Sequence, residues 1–189
     1  MIGVEKTFFA TWILLLPLFV CAQEGRADLL STTKGEVYFV SDAPLELIKA
    51  STSEIRGLID PAKRTFAFII PNSSFKGFNS PLQQEHFYEN YIEAEKYPSS
   101  TFEGKIIEDV DFSTAGKHLI RAKGILIIHG IKQERVIKVD LEISDGKVIA
   151  LSNFEIVLAD HDITIPKMVY QKIAESIHVS VALEFERKE

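Results

Sequence analysis

The chain has 189 residues, 21 Lys and Arg against 27 Asp and Glu, a formal charge of -6 and a single Cys. That balance argues against a nucleic-acid binder, which needs clustered cations for phosphate, and one Cys excludes a disulfide scaffold. A hydrophobic content of 46% is that of a folded domain and not of a disordered chain.

Residues 1–22 read as a signal peptide. Lys6 gives a weak positive start, and Phe8 to Val20 (FFATWILLLPLFV) is an almost wholly apolar core, too short to span a bilayer comfortably. Val20-Cys21-Ala22 offers a cleavage site, so the mature chain is expected to begin near Gln23 and to be periplasmic or secreted. Lipid anchoring through Cys21 is the lesser reading, because a Val directly before the Cys fits that signal poorly. Cleavage removes the only Cys and the only Trp and leaves no thiol to misoxidise outside the cytoplasm. Residues 23–189 are then one domain by length, with no stable membrane insertion.

From there period-two alternation dominates. Strands are expected at Ser53–Ile59, Thr65–Ile70, Thr101–Val110, Leu119–Ile128, Val136–Ile143, Val148–Leu158 and from Ile177 to Glu186, about eight in all. In the clearest, Ile137, Val139, Leu141 and Ile143 alternate with Lys138, Asp140, Glu142 and Ser144. Further on, Ile177, Val179, Val181, Leu183 and Phe185 alternate with polar residues or Ala182. One dry and one wet face per strand is the antiparallel pattern. Asp60-Pro61, Ser113–Gly116, Gly130–Gln133 and Asp145-Gly146 supply the turns, the last a strong hairpin signal. Long sequential strands joined by short turns predict an all-β, antiparallel up-and-down barrel of eight strands, closed so that no edge stays exposed.

Two segments interrupt the strands. Ser80-Pro81-Leu82-Gln83 combines an N-cap, Pro at the first helical position and a capping-box Gln, so a helix is expected from there to about Ala94. It would place Phe87, Tyr91 and Ala94 on one face and cap one end of the barrel. A second short helix is expected from Pro166 to about Ala174, and a minor helical stretch over Pro44–Lys49.

An eight-stranded barrel either fills with side chains or holds one small ligand. The inward registers of the two clearest strands carry no ionisable residue. They suit an uncharged hydrocarbon guest, and equally a barrel packed solid by its own side chains. The candidate lining is Phe66, Phe68, Ile137, Val139, Leu141, Phe154, Ile156, Val179, Val181 and Leu183, with Phe87 and Tyr91 closing one end. The neighbours of Phe66, Phe68, Phe154 and Ile156 are also apolar, so alternation does not choose their inward face.

Several residues carry a wider resemblance. Phe75-Lys76-Gly77-Phe78-Asn79-Ser80-Pro81-Leu82-Gln83-Gln84-Glu85-His86-Phe87, Asn90-Tyr91-Ile92 and Lys96-Tyr97-Pro98-Ser99-Ser100-Thr101-Phe102-Glu103-Gly104 resemble the YceI-like family. So do Lys123-Gly124-Ile125-Leu126-Ile127-Ile128-His129-Gly130 and Phe154-Glu155-Ile156 through Ile165-Pro166. The chain departs from the commonest pattern at Ile131-Lys132, where a Thr often follows the Gly. The resemblance implies a lipocalin-like barrel, commonly exported, that holds a long apolar molecule such as a polyisoprenoid, fatty acid or fatty amide. It carries no catalytic set and no cofactor.

His86 is either a polar contact for a ligand head group at the cavity mouth or a packing histidine on the helix surface. Asp160-His161-Asp162 is expected to be a solvated loop and not a metal site, since three consecutive residues cannot easily converge on one ion. No Gly-x-Ser-x-Gly elbow is present, so no enzyme is expected, and an enzyme acting on lipid is the third and least favoured reading. A structural or stress-associated module with a filled barrel is the alternative to a lipid carrier, and a homodimer is compatible with either.

Overall fold

A computed structural model describes residues 29–144 and 146–187. The proposed signal peptide and Asp145 of the Asp145-Gly146 turn lie outside the described residues.

Nine strands form among them: β1 (Leu30–Asp42), β2 (Leu47–Thr52), β3 (Arg56–Asp60), β4 (Thr65–Pro71), β5 (Ser99–Ile106), β6 (Gly116–Ile128), β7 (Ile131–Ser144), β8 (Lys147–Val157) and β9 (Ser176–Arg187). All neighbours are antiparallel, in the order β2-β1-β3-β4-β5-β6-β7-β8-β9. Pairing of β1 with β9, from Leu30↔Arg187 to Val40↔His178, closes eight of them into a barrel. The ninth shares a wall position. β1 pairs with β3 at one end (Leu30↔Ile59) and with β2 at the other (Val37↔Thr52 to Asp42↔Leu47), so β2 and β3 act as one interrupted strand.

The first strand is not legible as alternation, for a physical reason. A bulge between Thr32 and Lys34 shifts the register, so the inward set changes parity from Leu30 to Val37, Phe39 and Ser41. The β6–β7 hairpin is tighter than the expected Gly130–Gln133 loop. His129 and Gly130 alone make the turn, with φ of 51° and 73°, and β7 begins at Ile131. Two positive φ angles match the right-handed twist of the strands. A Cβ on Gly104 or Gly124, which face each other on β5 and β6, would lie 2.1–2.2 Å from a backbone oxygen of the partner strand, so those strands can approach only at glycine.

Three local expectations are corrected. The helix at Ser80 starts as expected: the Ser80 hydroxyl accepts from Gln83 N at 3.2 Å, and the Asn79 amide donates to Gln83 Oε1 at 3.0 Å. The α-helix α1 covers only Pro81–His86, however, and widens into a π-helical turn over Phe87–Tyr91, where Ile92 N–H reaches back to Phe87 O. Glu93, with φ 45°, stops it before Ala94. The expected helix from Pro166 to Ala174 reduces to a 3₁₀ turn at Lys167–Val169. Its backbone is committed elsewhere: Gln171 O accepts from Leu45 N at 2.9 Å, and Ala174 N donates to Ser41 Oγ at 2.9 Å. Pro44–Lys49 is not helical either. Ala43 and Glu46 exchange backbone bonds in a tight turn, and β2 starts at Leu47.

One barrel end is packed shut around Leu30, Val148 and Phe185, each at most 1% exposed. Full burial of such side chains contributes about 1.5–3 kcal/mol apiece. At the other end β2 pairs with β1 alone. The β4–β5 connection, with α1 inside it, fills the gap beside β2, and residue 76 bridges to Ser51.

Candidate functional site

Inward-pointing side chains of a filled barrel should be buried uniformly. Here some are buried, as with Phe66, Ile137, Leu141, Val179 and Leu183. Phe39, Phe68, Val139, Phe154, Ile156 and Val181 also point inward, yet are only half-buried. They border an internal cavity of about 560 Å³. Well-packed interiors leave few voids larger than a water molecule, whose share of liquid is ~30 Å³. This cavity is far larger, and within the ~300–1,000 Å³ typical of small-molecule sites.

The wall is built by alternation from nearly every strand. All the sequence-predicted lining residues border the cavity: Phe66, Phe68, Phe87, Tyr91, Ile137, Val139, Leu141, Phe154, Ile156, Val179, Val181 and Leu183. Two aromatic groups organise it. Phe66 packs on Phe102 at 4.8 Å and on Phe68 at 5.7 Å between ring centroids. Phe87, at the π turn, packs on Phe78 at 5.1 Å, Phe39 at 5.5 Å and Phe75 at 5.8 Å, and so ties the helical segment to β1. Alternation did not single out Phe39, Phe75, Phe78 or Phe102. The first lies beyond the bulge, and Phe75 and Phe78 belong to a loop with no period.

The cavity opens at one end. Among the described residues, its strongly exposed wall residues are Ser80, Leu82, His86 and Lys172, contributed by α1 and its cap or by the β8–β9 connection. The ionisable wall residues other than Tyr91 gather there too. Glu46, on the β1–β2 turn, accepts from Gln83 Nε2 at 2.9 Å, His86 lies one turn further along α1, and Lys172 follows the residue that holds Leu45. Burial in apolar surroundings pushes the Tyr91 phenol above its ordinary pKa. The deeper polar wall residues are engaged by the protein itself. Ser152 Oγ donates to Lys138 O at 2.7 Å. Asn72 donates to Tyr97 O at 2.6 Å and accepts from Ser100 Oγ at 2.8 Å.

The expected solvated loop at Asp160-His161-Asp162 is corrected. A 3₁₀ turn (Leu158–His161) folds His161 inward, where it is fully buried beside the backbone of Ile128 and Ile131, while Asp160 and Asp162 stay exposed. Neither ring nitrogen of His161 has a hydrogen bond of good geometry, although the backbone of Ile128 and Ile131 lies close enough to favour the charged ring, and burial, the larger influence, pushes its pKa below the ordinary imidazole value. Its carbonyl accepts from His129 Nδ1 at 2.9 Å, while His129 Nε2 meets the Glu93 carboxylate. The end of the helical segment, the β6–β7 turn and the β8–β9 connection are thereby held together beside the opening.

Known proteins share this construction. A polyisoprenoid-binding domain from Saccharophagus degradans, implicated in plant cell wall breakdown, superposes with a TM-score of 0.71 at 16% identity, over 86% of this chain and 99% of that one. BcnA of Burkholderia cenocepacia superposes at 0.66 and 16% identity, over 79% and 95%. A Campylobacter jejuni YceI protein gives 0.54 and 14%, over 98% and 94%. No match is found among functionally curated proteins. At these identities the likeness concerns the fold. The family itself follows from sequence: the YceI-like domain matches residues 30–185, nearly the whole barrel, and the chain belongs to the YceI-like family.

Proposed function

We propose that this protein is an exported, non-enzymatic carrier or store that holds a long apolar molecule (a polyisoprenoid, fatty acid or fatty amide) inside its barrel. The observation that carries the reading is a 560 Å³ apolar cavity whose strongly exposed wall residues lie at one end. Hydrocarbon desolvation drives such binding at about 0.8 kcal/mol per buried CH₂. Placement of Glu46, Gln83, His86 and Lys172 at the opening suits an amphiphile that enters tail first and leaves its head at the mouth. The polyisoprenoid-binding structural relative supports the ligand class, and residues 1–22 support export. A non-catalytic role fits serines tied to backbone, Ser152 to Lys138 O and Ser41 to Ala174 N, where a nucleophile would need a base.

Organic extraction of purified protein followed by mass spectrometry tests this. A stoichiometric isoprenoid or fatty compound is the expected result. Repeatedly empty extracts, with no thermal shift on adding such lipids, would overturn it.

A further inference from the structure

The rim of the opening is itself apolar. Leu45 is 67% exposed, Leu82 58%, Met168 95% and Tyr170 63%. They belong to three segments of separate origin, the β1–β2 turn, the start of α1 and the β8–β9 connection. Leu45 N donates to Gln171 O, and Gln83 Nε2 donates to Glu46, so the three segments form one connected edge. Val169, Lys172 and Ile173 border the cavity, whereas Met168 and Tyr170 stand out from it into solvent. A methionine left 95% in water contributes almost nothing to folding.

Charge distinguishes this edge further. The stretch from Thr164 to Ala174 carries Lys167 and Lys172 and no acidic residue, in a chain of net charge -6. Acidic residues stand near it as well: Glu46, beside Leu45, is held by Gln83, and Glu85 on α1, Asp162 and Glu175 are exposed. Apolar side chains interleaved with lysines are what an anionic bilayer surface accepts: the first enter the acyl boundary and the second meet the head groups.

We propose that the rim formed by Leu45, Leu82, Met168 and Tyr170, flanked by Lys167 and Lys172, docks mouth-down on an anionic lipid bilayer. A guest can then pass between membrane and barrel without crossing water. The transfer rests on the lipid-carrier reading; the docking is tested separately from it.

The test uses the full chain with Cys21→Ser, so that a single introduced cysteine carries an environment-sensitive dye. One variant is Met168→Cys. The control is Leu119→Cys, on the barrel flank toward the closed end and 63% exposed. The dye reports its own site, so attraction of residues 8–20 to lipid does not imitate docking. With phosphatidylglycerol vesicles the emission at 168 is expected to shift to the blue, and that at 119 to stay put. Phosphatidylcholine vesicles should give a smaller shift, and Lys167→Glu with Lys172→Glu should abolish most of it. Equal responses at both positions, or none at 168, would overturn the proposal. A shift that needs no vesicles and grows with protein concentration would overturn it too, assigning the rim to a second copy of the chain. Lipid extraction from the same preparations separates the two readings. Lipid without docking refutes only the docking, and docking without lipid refutes only the carrier.

Discussion

Filling the cavity with the protein's own atoms should uncouple stability from binding. Val181 points inward from β9 and borders the cavity, yet is only half-buried. Val181→Phe adds a net four carbons to that space. If they displace an equal part of the guest, at about 0.8 kcal/mol per CH₂, binding loses roughly 3 kcal/mol, about a hundredfold in affinity. Folding should hardly change, staying within ~0.5 kcal/mol, because the ring enters free volume. In a close-packed core the same substitution costs about 1–3 kcal/mol. Urea unfolding, read at constant slope, gives the first quantity, and lipid affinity of the same preparation gives the second. Leu141→Phe, at a tighter point where Leu141 is 2% exposed, should bind lipid less well and lose somewhat more stability. Destabilisation of 1–3 kcal/mol at both positions, with affinity intact, would refute the reasoning.

Acid should weaken the fold in a window set by His161. Its folded pKa is depressed by burial below the reference 6.5, so in that interval the unfolded chain binds more protons and stability falls as pH drops. His161→Phe should flatten the stability profile there; an unchanged slope between pH 7 and 5 would count against this. The carboxylates held low, Glu184 by Lys147 and Glu108 by Arg121, belong to a lower window, below the ordinary carboxylate range, and should leave the His161 step untouched. Gly124→Ala should destabilise the barrel by about 3 kcal/mol or more, since its Cβ meets the Glu103 carbonyl across the strands; a loss under ~1 kcal/mol would show that β5 and β6 can part. Ser80→Ala removes the N-cap of α1 and should cost about 1 kcal/mol by denaturant melt, with no change if that turn is already frayed.

Much of the barrel was legible because long strands with one wet face write a period of two into the chain, as Ile137 to Ile143 and Ile177 to Phe185 do. The Ser80 cap was legible from three residues. What stayed hidden was governed by contacts distant in sequence. The bulge in β1 reverses parity. The backbone groups of residues 171 and 174 are claimed by Leu45 and Ser41 and so leave no helix there. His161 is buried by the turn that carries it, not by any pattern around it. The site was legible as a list of inward apolar residues, but not as a space. Alternation says which side chains face inward and not whether they meet. That depends on barrel girth, which follows from the number and stagger of the strands and not from the pattern within any one of them.

Hollowness is most directly tested by calorimetric titration with saturated fatty acids and fatty amides of increasing chain length. The account predicts affinity rising by about 0.8 kcal/mol, roughly fourfold, per added methylene, with a negative heat-capacity change, until the tail fills the cavity. Affinity that is absent, or indifferent to chain length throughout, would contradict it.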